Sequence, residues 1–239
     1  MAVMPLRRTA IALLAGLALS TVLIAGCSKS SNKSQSTEGL PDAATLVKQS
    51  QQTTSNLKSA HVDITVTGTI EGFPIKTLTG DLTNTPAVAA KGHTKVSLGG
   101  DDADVDFVVL DGTLYGSLDP GIWNSFGPAV NVYDVSTILN PSAGLANVLA
   151  NLSNPKTEGQ QTINGVNTVE ITGDVTADTV KKIAPKLKVT GNVSTTVWIR
   201  ADGNHDLVQA KLEPSSGNSI QMTLSNWNQP VNVEKPPGV

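Results

Sequence analysis

The sequence is poor in cysteine, in aromatic residues and in charged residues. Cys27 is its only cysteine, so the chain cannot form an internal disulfide. Aromatic residues make up 3% of the chain, which leaves few large rings to fill the space inside a wide sheet. The sequence has no P-loop, no dinucleotide-binding glycine motif and no zinc signature, and its three histidines share no metal-ligand spacing. We therefore predict no metal and no cofactor.

Basic residues are scarce in the middle of the chain. No lysine or arginine lies between Lys95 and Lys156, whereas seven aspartates do. Without residues 1–26, the chain carries 15 basic and 20 acidic side chains. This balance disfavours nucleic acid binding and leaves no polybasic patch for anionic lipid. The plentiful Thr, Val, Asn, Ser and Gly are typical of a β-rich domain.

The amino terminus has the pattern of an exported lipoprotein. Arg7 and Arg8 precede an apolar run at residues 11–25, as in a signal peptide. The segment Ile24-Ala25-Gly26-Cys27 resembles the bacterial lipobox, which implies cleavage before Cys27 and attachment of a diacylglycerol to its thiol. A transmembrane helix is one alternative, although the run is shorter than the ~20 residues needed to span a bilayer. A signal peptide with an incidental cysteine is the other. We expect residues 1–26 to be the signal peptide and Cys27 to be the lipid attachment site.

The rest of the chain divides into a linker and one domain. Residues 27–39 are polar and Ser-rich, and they offer nothing to bury. Residues 40–239 are numerous enough for a single domain with its own core. Two or more acyl chains hold a protein stably on a membrane. Because the extended linker spans at most about 40 Å, we expect the domain to stay beside its own membrane, outside the cytoplasm.

The domain is predicted to open with a helix and to continue as an antiparallel meander. Pro41 and Asp42 are typical of a helix start, and the apolar spacing continues to about Lys58. Residues 62–67 then alternate apolar and polar side chains, as a half-buried strand does. Further strands are predicted at residues 75–83, 94–98, 102–110 and 113–118, separated by Gly-rich or Asp-Gly turns that favour hairpins.

The middle of the chain returns to helical spacing. Residues 128–152 predict two short helices interrupted at Asn140-Pro141, with Ser142 as a plausible N-cap. A short helix is also predicted at residues 176–184, and strands at 168–172, 193–200, 207–212 and 219–225. The expected fold is α+β, with one strongly curved antiparallel sheet and helices against a single face.

Two patterns resemble functional sites but are better explained structurally. Asp102, Asp104 and Asp106 begin like a calcium loop, but Phe107 stands where that loop requires glycine. Their spacing instead places three carboxylates on a solvated strand face. Ser142 lies in a segment that lacks the first glycine of a nucleophile elbow. We therefore interpret the protein as non-enzymatic.

Several segments together carry a resemblance to a known family. They include Lys76-Thr-Leu-Thr-Gly-Asp-Leu82, Phe107-Val-Val-Leu-Asp-Gly112, Asn140-Pro-Ser-Ala-Gly-Leu-Ala-Asn-Val-Leu-Ala-Asn151 and Gly217-Asn-Ser-Ile-Gln-Met-Thr-Leu-Ser225. Over essentially the whole mature chain, the sequence resembles the LppX/LprG family of mycobacterial lipoproteins. The resemblance implies a half-barrel sheet whose concave face, covered by helices, encloses a large apolar cavity for acyl chains.

The resemblance also implies a ligand class and a partner. Members of the LppX/LprG family bind triacylated glycolipids (phosphatidylinositol mannosides, lipomannan, lipoarabinomannan) and triacylglycerol. They carry these lipids from the inner membrane towards the outer cell envelope. The implied partner is a major-facilitator efflux transporter of the same operon, and we expect the chain to be a monomer. The implied location is the outer leaflet of the inner membrane, facing the periplasm, with a cell-wall or secreted form as an addition.

With such a cavity expected, strand parity predicts its wall and helical spacing predicts its roof. Thr94 shares a strand face with Val96 and is expected near the mouth. Both faces of the strand are apolar around Val108 and Leu110, so at this point the alternate residues could be the ones that face the cavity. The predicted wall consists of Ile64, Val66, Val96, Leu98, Val105, Phe107 and Val109, and the predicted roof of Val135, Ile138, Leu145, Val148, Leu149 and Leu152.

Three hypotheses about function follow. A lipid carrier is favoured. The second is a lipoprotein adaptor that carries no lipid and recruits a transporter or a wall enzyme through its surface. An envelope hydrolase is the weakest, because its catalytic residues would have to be brought together by folding alone.

Overall fold

The computed structural model describes residues 39–239, apart from the side chain of Leu98. The predicted signal peptide, the Cys27 anchor and the linker up to residue 38 lie outside the described residues. Within the described part, the chain forms eleven strands, three α-helices and two 3-10 helices. No helix in residues 39–239 is long and apolar enough to cross a membrane.

The strands form two groups of hairpins along the chain. The first group is β1 (Ser59–Thr67), β2 (Ile75–Thr83), β3 (Ala89–Leu98), β4 (Asp101–Leu110), β5 (Thr113–Asp119) and β6 (Ile122–Pro128). The second group is β7 (Ser153–Ile163), β8 (Val166–Thr176), β9 (Asn192–Arg200), β10 (Leu207–Ser215) and β11 (Asn218–Ser225). The α-helices are α1 (Ala43–Ser55), α2 (Leu145–Ala150) and α3 (Ala177–Ile183), and the 3-10 helices are Ala129–Asn131 and Val135–Leu139.

All eleven described strands belong to one antiparallel sheet, in the order β6-β5-β4-β3-β2-β1-β11-β10-β9-β8-β7. The two groups of hairpins meet where the first strand pairs with the last, with Val62 opposite Leu224 and Ile64 opposite Met222. Strands β6 and β7 form the two edges, so the curved sheet remains unclosed. Residues 129–152 connect one edge to the other, and they carry both 3-10 helices and α2.

The predicted Asp-Gly hairpin turn is present, and the structure adds an Asn-Gly turn between β7 and β8. Asp111 and Gly112 have φ values of 50° and 72°, and Asn164 and Gly165 have values of 48° and 80°. Two consecutive residues at positive φ match the right-handed twist of the flanking strands, which is why Asp-Gly and Asn-Gly are favoured in two-residue turns. These turns fix the register of β4 with β5 and of β7 with β8.

Helix α1 begins where the sequence predicted. Asp42 caps it, because its carboxylate accepts a hydrogen bond from Thr45 N at 2.9 Å. The buried stripe of α1 includes Leu46, Val47 and Thr54 and packs against α2 and against β7, β9 and β10. Helix α3 packs on β8 and β9, whereas β2 and β3 are contacted by the 3-10 helix Val135–Leu139. Helices α1 and α3 therefore contact the β7–β10 half of the sheet, and α2 packs on these two helices.

Several predicted elements differ from the structure. Strands β6 and β7 were not predicted, and β3 begins at Ala89 rather than at residue 94. Residues 128–152 form 3-10 turns and a six-residue α2 rather than two regular helices. Gly144, not Ser142, is the residue before α2, because the Asn140 side chain accepts bonds from the backbone of residues 142 and 143.

Candidate functional site

An apolar cavity of about 220 Å³ lies against the β2–β6 half of the sheet. Its floor is made of side chains from five consecutive strands, and residues 132–135 of the edge-to-edge connection close one side. Among the described residues, no charged side chain lines it. The lining residues are Pro74, Ile75, Leu78, Thr94, Val96, Val105, Phe107, Val109, Leu114, Gly116, Leu118, Phe126, Val132, Tyr133 and Val135.

Strand register explains why these residues meet. Thr94 lies opposite Val105 across the β3–β4 pair, and Val109 lies opposite Leu114 across the β4–β5 pair. Because paired residues in an antiparallel sheet point to the same face, each pair adds two side chains to the cavity floor. The intervening Asp104 and Asp106 point to the outer face.

Glycines let the ring of Phe107 lie close to the backbone. Gly80 and Gly92 face each other across β2 and β3, and Gly92 also faces Phe107. A Cβ on Gly80 would be 2.6 Å from Lys91 O and 3.2 Å from Phe107 Cζ, so a larger residue would clash with the β3 backbone and crowd the ring. At the edge, a Cβ on Gly116 would be 2.8 Å from the Phe126 ring. These glycines therefore allow the rings of Phe107 and Phe126 to lie close to the sheet backbone.

Exposed apolar side chains lie on the strands and the segment that form one side of the cavity. Six large hydrophobic residues of the described chain are exposed, and five of them belong to β5, β6 and the segment that follows. We call these five the apolar rim: Leu118 (52% exposed), Ile122 (61%), Phe126 (49%), Val130 (68%) and Val132 (44%). Leu118, Phe126 and Val132 also line the cavity, so the rim and the cavity form one continuous apolar surface. A contiguous exposed apolar surface usually marks an interaction site, whereas a single exposed hydrophobic residue does not.

Two hydroxyl groups belong to residues that line the cavity. Thr94 Oγ1 donates a hydrogen bond to Thr77 O at 2.9 Å and is therefore satisfied. Tyr133 Oη is buried and has no partner among the described residues. Burial, and secondarily the charge of Asp134, raises the pKa of the Tyr133 hydroxyl. The hydroxyl therefore stays protonated.

Six of the residues predicted for the site line the cavity: Thr94, Val96, Val105, Phe107, Val109 and Val135. Val108 lies on the outer face of the sheet, because it borders a shallow depression there together with Trp123 and Asp106. On β3 and β4, the selected residues whose side chains the structure describes all line this cavity.

The other predicted residues lie elsewhere. Of the wall residues, Ile64 is 1% exposed and packs in the core beside Leu78 and Met222, whereas Val66 is only partly buried. The side chain of Leu98 is not described, and Cys27 lies outside the described residues. The remaining roof residues do not line the cavity, because α2 and the preceding 3-10 helix bury them in the closed core; they are Ile138, Leu145, Val148, Leu149 and Leu152.

Part of the site was missed in the sequence. Leu114 and Leu118 of β5 follow the same alternation as the predicted wall residues, so parity could have found them. Phe126 and Val132 gave no periodic signal, because β6 is irregularly paired and the segment after it is not a regular element. Tyr133 was also missed, since nothing in the local pattern distinguishes a buried tyrosine from an exposed one.

On the outer face, Asp81, His61 and Thr79 are hydrogen-bonded in the sequence acid–histidine–hydroxyl, as in a catalytic triad. His61 Nδ1 lies 2.7 Å from Asp81 Oδ1, and His61 Nε2 lies 3.2 Å from Thr79 Oγ1. An acyl-transfer site also needs free N–H donors for the developing oxyanion. Strand β2 is paired on both sides here, with β1 and with β3, so its N–H groups are already used in the ladder. We interpret the group as a polar cross-strand cluster.

The remaining polar clusters of the outer face are ion pairs across neighbouring strands. Lys95 Nζ lies 2.8 Å from Asp104 Oδ2, and His93 Nδ1 lies 2.9 Å from Asp106 Oδ1. These contacts confirm that the carboxylates of β4 occupy a solvated face. In residues 39–239, no group of three or more His, Asp or Glu side chains is arranged to hold a metal ion.

The chain is similar in sequence to mycobacterial lipoproteins. The LppX_LprAFG lipoprotein family model matches residues 42–233. Proteins named lipoarabinomannan carrier protein LprG are 52% identical in Mycobacterium leprae, over 96% of both chains, and 51% identical in Mycobacterium tuberculosis H37Rv, over 95% of both chains.

Two solved structures share the fold. The crystal structure of LprF from Mycobacterium bovis superposes with a TM-score of 0.76 at 30% identity, covering 84% of this chain and 100% of that one. The lipoprotein LppX from Mycobacterium tuberculosis gives a TM-score of 0.64 at 31% identity, covering 80% of this chain and 98% of the other.

Proposed function

The chain belongs to the LppX_LprAFG lipoprotein family, and on that premise we propose that it is a non-enzymatic carrier of acyl lipids in the cell envelope. Its proposed ligands are triacylated glycolipids (phosphatidylinositol mannosides, lipomannan and lipoarabinomannan) and triacylglycerol. The names of relatives that are about half identical to it, lipoarabinomannan carrier proteins, support this class of ligand.

The observation that carries the proposal is the cavity itself. It is apolar throughout its lining, and it opens through a rim that is also apolar. Each methylene that moves from water into such a space gains roughly 0.8 kcal/mol, so an acyl chain is held without any specific polar contact. The sugar or phosphate head group remains outside, in water.

The size of the cavity indicates that the ligand enlarges it. At about 220 Å³, the cavity is smaller than the roughly 300–1,000 Å³ usual for small-molecule sites, and three acyl chains need more room. Residues 129–139 are the part best suited to move. They form two short 3-10 helices, one beside β6 and the other on β2 and β3, joined by the cavity-lining residues Val132 and Tyr133. Displacement of this segment would extend the cavity towards the rim.

We propose that the carrier works while tethered to a membrane. Cleavage before Cys27 and acylation of its thiol would anchor the domain to the outer leaflet of the inner membrane, facing the periplasm. Acyl chains would then enter through the apolar rim and leave for the outer envelope with the help of a major-facilitator transporter of the same operon. The proposed working form is a monomer.

The lipids that the protein carries can be identified directly. The full chain carrying Cys27→Ala, which removes the acyl anchor, is purified from a mycobacterial host without detergent, and its extracted lipids are analysed by mass spectrometry. We expect triacylated lipids in near-stoichiometric amount. A protein that reaches the envelope, folds and contains no lipid would contradict the carrier function and favour the adaptor hypothesis.

A further inference from the structure

Of the two hydroxyl-bearing residues that line the apolar cavity, Tyr133 is the one whose hydroxyl has no partner in the described chain. Its residue is 9% exposed, and its hydroxyl has no hydrogen-bond partner among the residues that the structure describes. The ring is held edge-on to Phe73, with a centroid distance of 5.2 Å and an interplanar angle of 75°. Tyr133 also borders a second pocket of about 60 Å³, so it stands between two spaces.

A buried hydroxyl without a partner is costly. Five buried side-chain atoms of the described residues have no partner, and Tyr133 is the one residue among them that lines the cavity. Phenylalanine would supply the same ring and the same contact with Phe73 without this cost. In the same cavity, the Thr94 hydroxyl is satisfied by a backbone carbonyl. The Tyr133 hydroxyl therefore points to a partner that comes from outside the protein, and a ligand of the adjoining cavity is the nearest source.

The chemistry of the surroundings limits what that partner is. A protonated phenol donates a hydrogen bond, so the ligand must offer an acceptor. A carboxylate fits poorly, because no cation lines the cavity and the charge of Asp134 is close by. Lys186 borders the smaller pocket, but its ammonium group is engaged with the Asn131 carbonyl. A neutral carbonyl oxygen is the acceptor that meets these conditions.

We propose that the Tyr133 hydroxyl donates a hydrogen bond to an ester carbonyl of the bound lipid, so that the site prefers neutral acyl esters to ether lipids and to free fatty acids. An ester carbonyl lies where an acyl chain joins its head group. Chains would fill the apolar cavity while the first polar atom of the ligand meets Tyr133. This inference rests on the proposed function, because it requires that acyl chains occupy the cavity.

The test compares an ester with its ether. The probes are 1,2-dipalmitoylglycerol, the matching 1,2-dihexadecyl ether and palmitic acid, and each displaces a pyrene-labelled dialkylglycerol from the full Cys27→Ala chain. We expect the wild type to bind the ester roughly 5- to 30-fold more tightly than the ether. Tyr133→Phe should abolish this difference by weakening only ester binding. Palmitic acid should bind more weakly than the ester to the wild type.

A matched control separates recognition from stability. Thr54 Oγ1 in α1 is also buried and without a partner among the described residues, yet Thr54 does not line the cavity. Thr54→Val therefore removes an equivalent hydroxyl and should keep the full ester preference. Both variants should melt at or above the temperature of the wild type, because each removes an unsatisfied group.

The possible results distinguish the two claims. Equal binding of ester and ether by the wild type would overturn the role of Tyr133 and leave the carrier function intact, and this comparison does not depend on any variant. An ester preference that survives Tyr133→Phe would overturn it too. Failure of the wild type to bind any of the probes or the labelled lipid would instead contradict the proposed function itself.

Discussion

A tryptophan at position 96 should block lipid binding without unfolding the protein. Val96 is only partly buried, and it lines the cavity from β3, between Ile75 of β2 and Ala103 of β4. An indole in this position projects into space that no other side chain occupies. In a filled core, the same enlargement would cost about 1–3 kcal/mol, which is a loss of roughly 2–12 °C in melting temperature for a domain of this size. Here we expect no loss.

The effect on binding should be large. If the indole displaces about five methylenes of the ligand, at ~0.8 kcal/mol each, affinity falls by about 4 kcal/mol, or roughly a thousandfold. The control is Ser97→Trp, because Ser97 is the next residue on β3 and points to the opposite face. Binding is measured by displacement of a fluorescent acyl lipid, and stability by thermal unfolding. A Val96→Trp protein that melts several degrees lower, or that binds lipid as well as Ser97→Trp does, would refute the reasoning.

Two further predictions concern the rim and the outer face. Replacing Ile122 and Val130 together by serine should slow lipid transfer between phosphatidylcholine vesicles roughly tenfold or more. Equilibrium binding should not change, because neither residue lines the cavity. Val88→Ser, a control at a residue that is 51% exposed elsewhere, should have no effect, and equal transfer by the wild type and both variants would exclude a role for the rim. The hydrogen bond to Asp106, and secondarily Asp104, raises the pKa of His93 above 6.5, so its stabilisation is present below pH 6.5 and is lost as the pH rises through the raised value. Replacing His93 by glutamine should remove this pH-dependent loss of unfolding free energy. The loss is within about 1 kcal/mol, because the His93–Asp106 pair is half exposed. A variant with the same pH profile of the unfolding free energy as the wild type would contradict the prediction.

The sheet was largely predictable, with its two edges as the exception. Central strands such as β1 and β4 alternate because one face is buried, and β4 lies between a Gly-Gly turn and an Asp-Gly turn. The missed strands β6 and β7 are the edge strands, and most of their side chains are exposed on both faces. Without a buried face there is no selection for alternation, so the sequence does not distinguish such strands from loops.

The cavity was only half predictable for a related reason. Periodicity identified which side of β3 and β4 faces inward, and Thr94, Val96 and Phe107 do line the cavity. It could not tell whether that side is filled, because filling depends on where the α-helices dock. Leu145 and Leu149 are as apolar as any cavity residue, but α1 packs beside α2 and closes the space around them.

The position of bound acyl chains tests the central claim most directly. A lipid with a photoreactive diazirine in its acyl chain is bound to the Cys27→Ala chain and irradiated, and the labelled residues are located by mass spectrometry. We predict labels on cavity-lining residues of β3, β4 and β5, such as Val96, Val109 and Leu114. Labels confined to the outer face, around His61 and Trp123, would contradict the claim that acyl chains occupy the cavity.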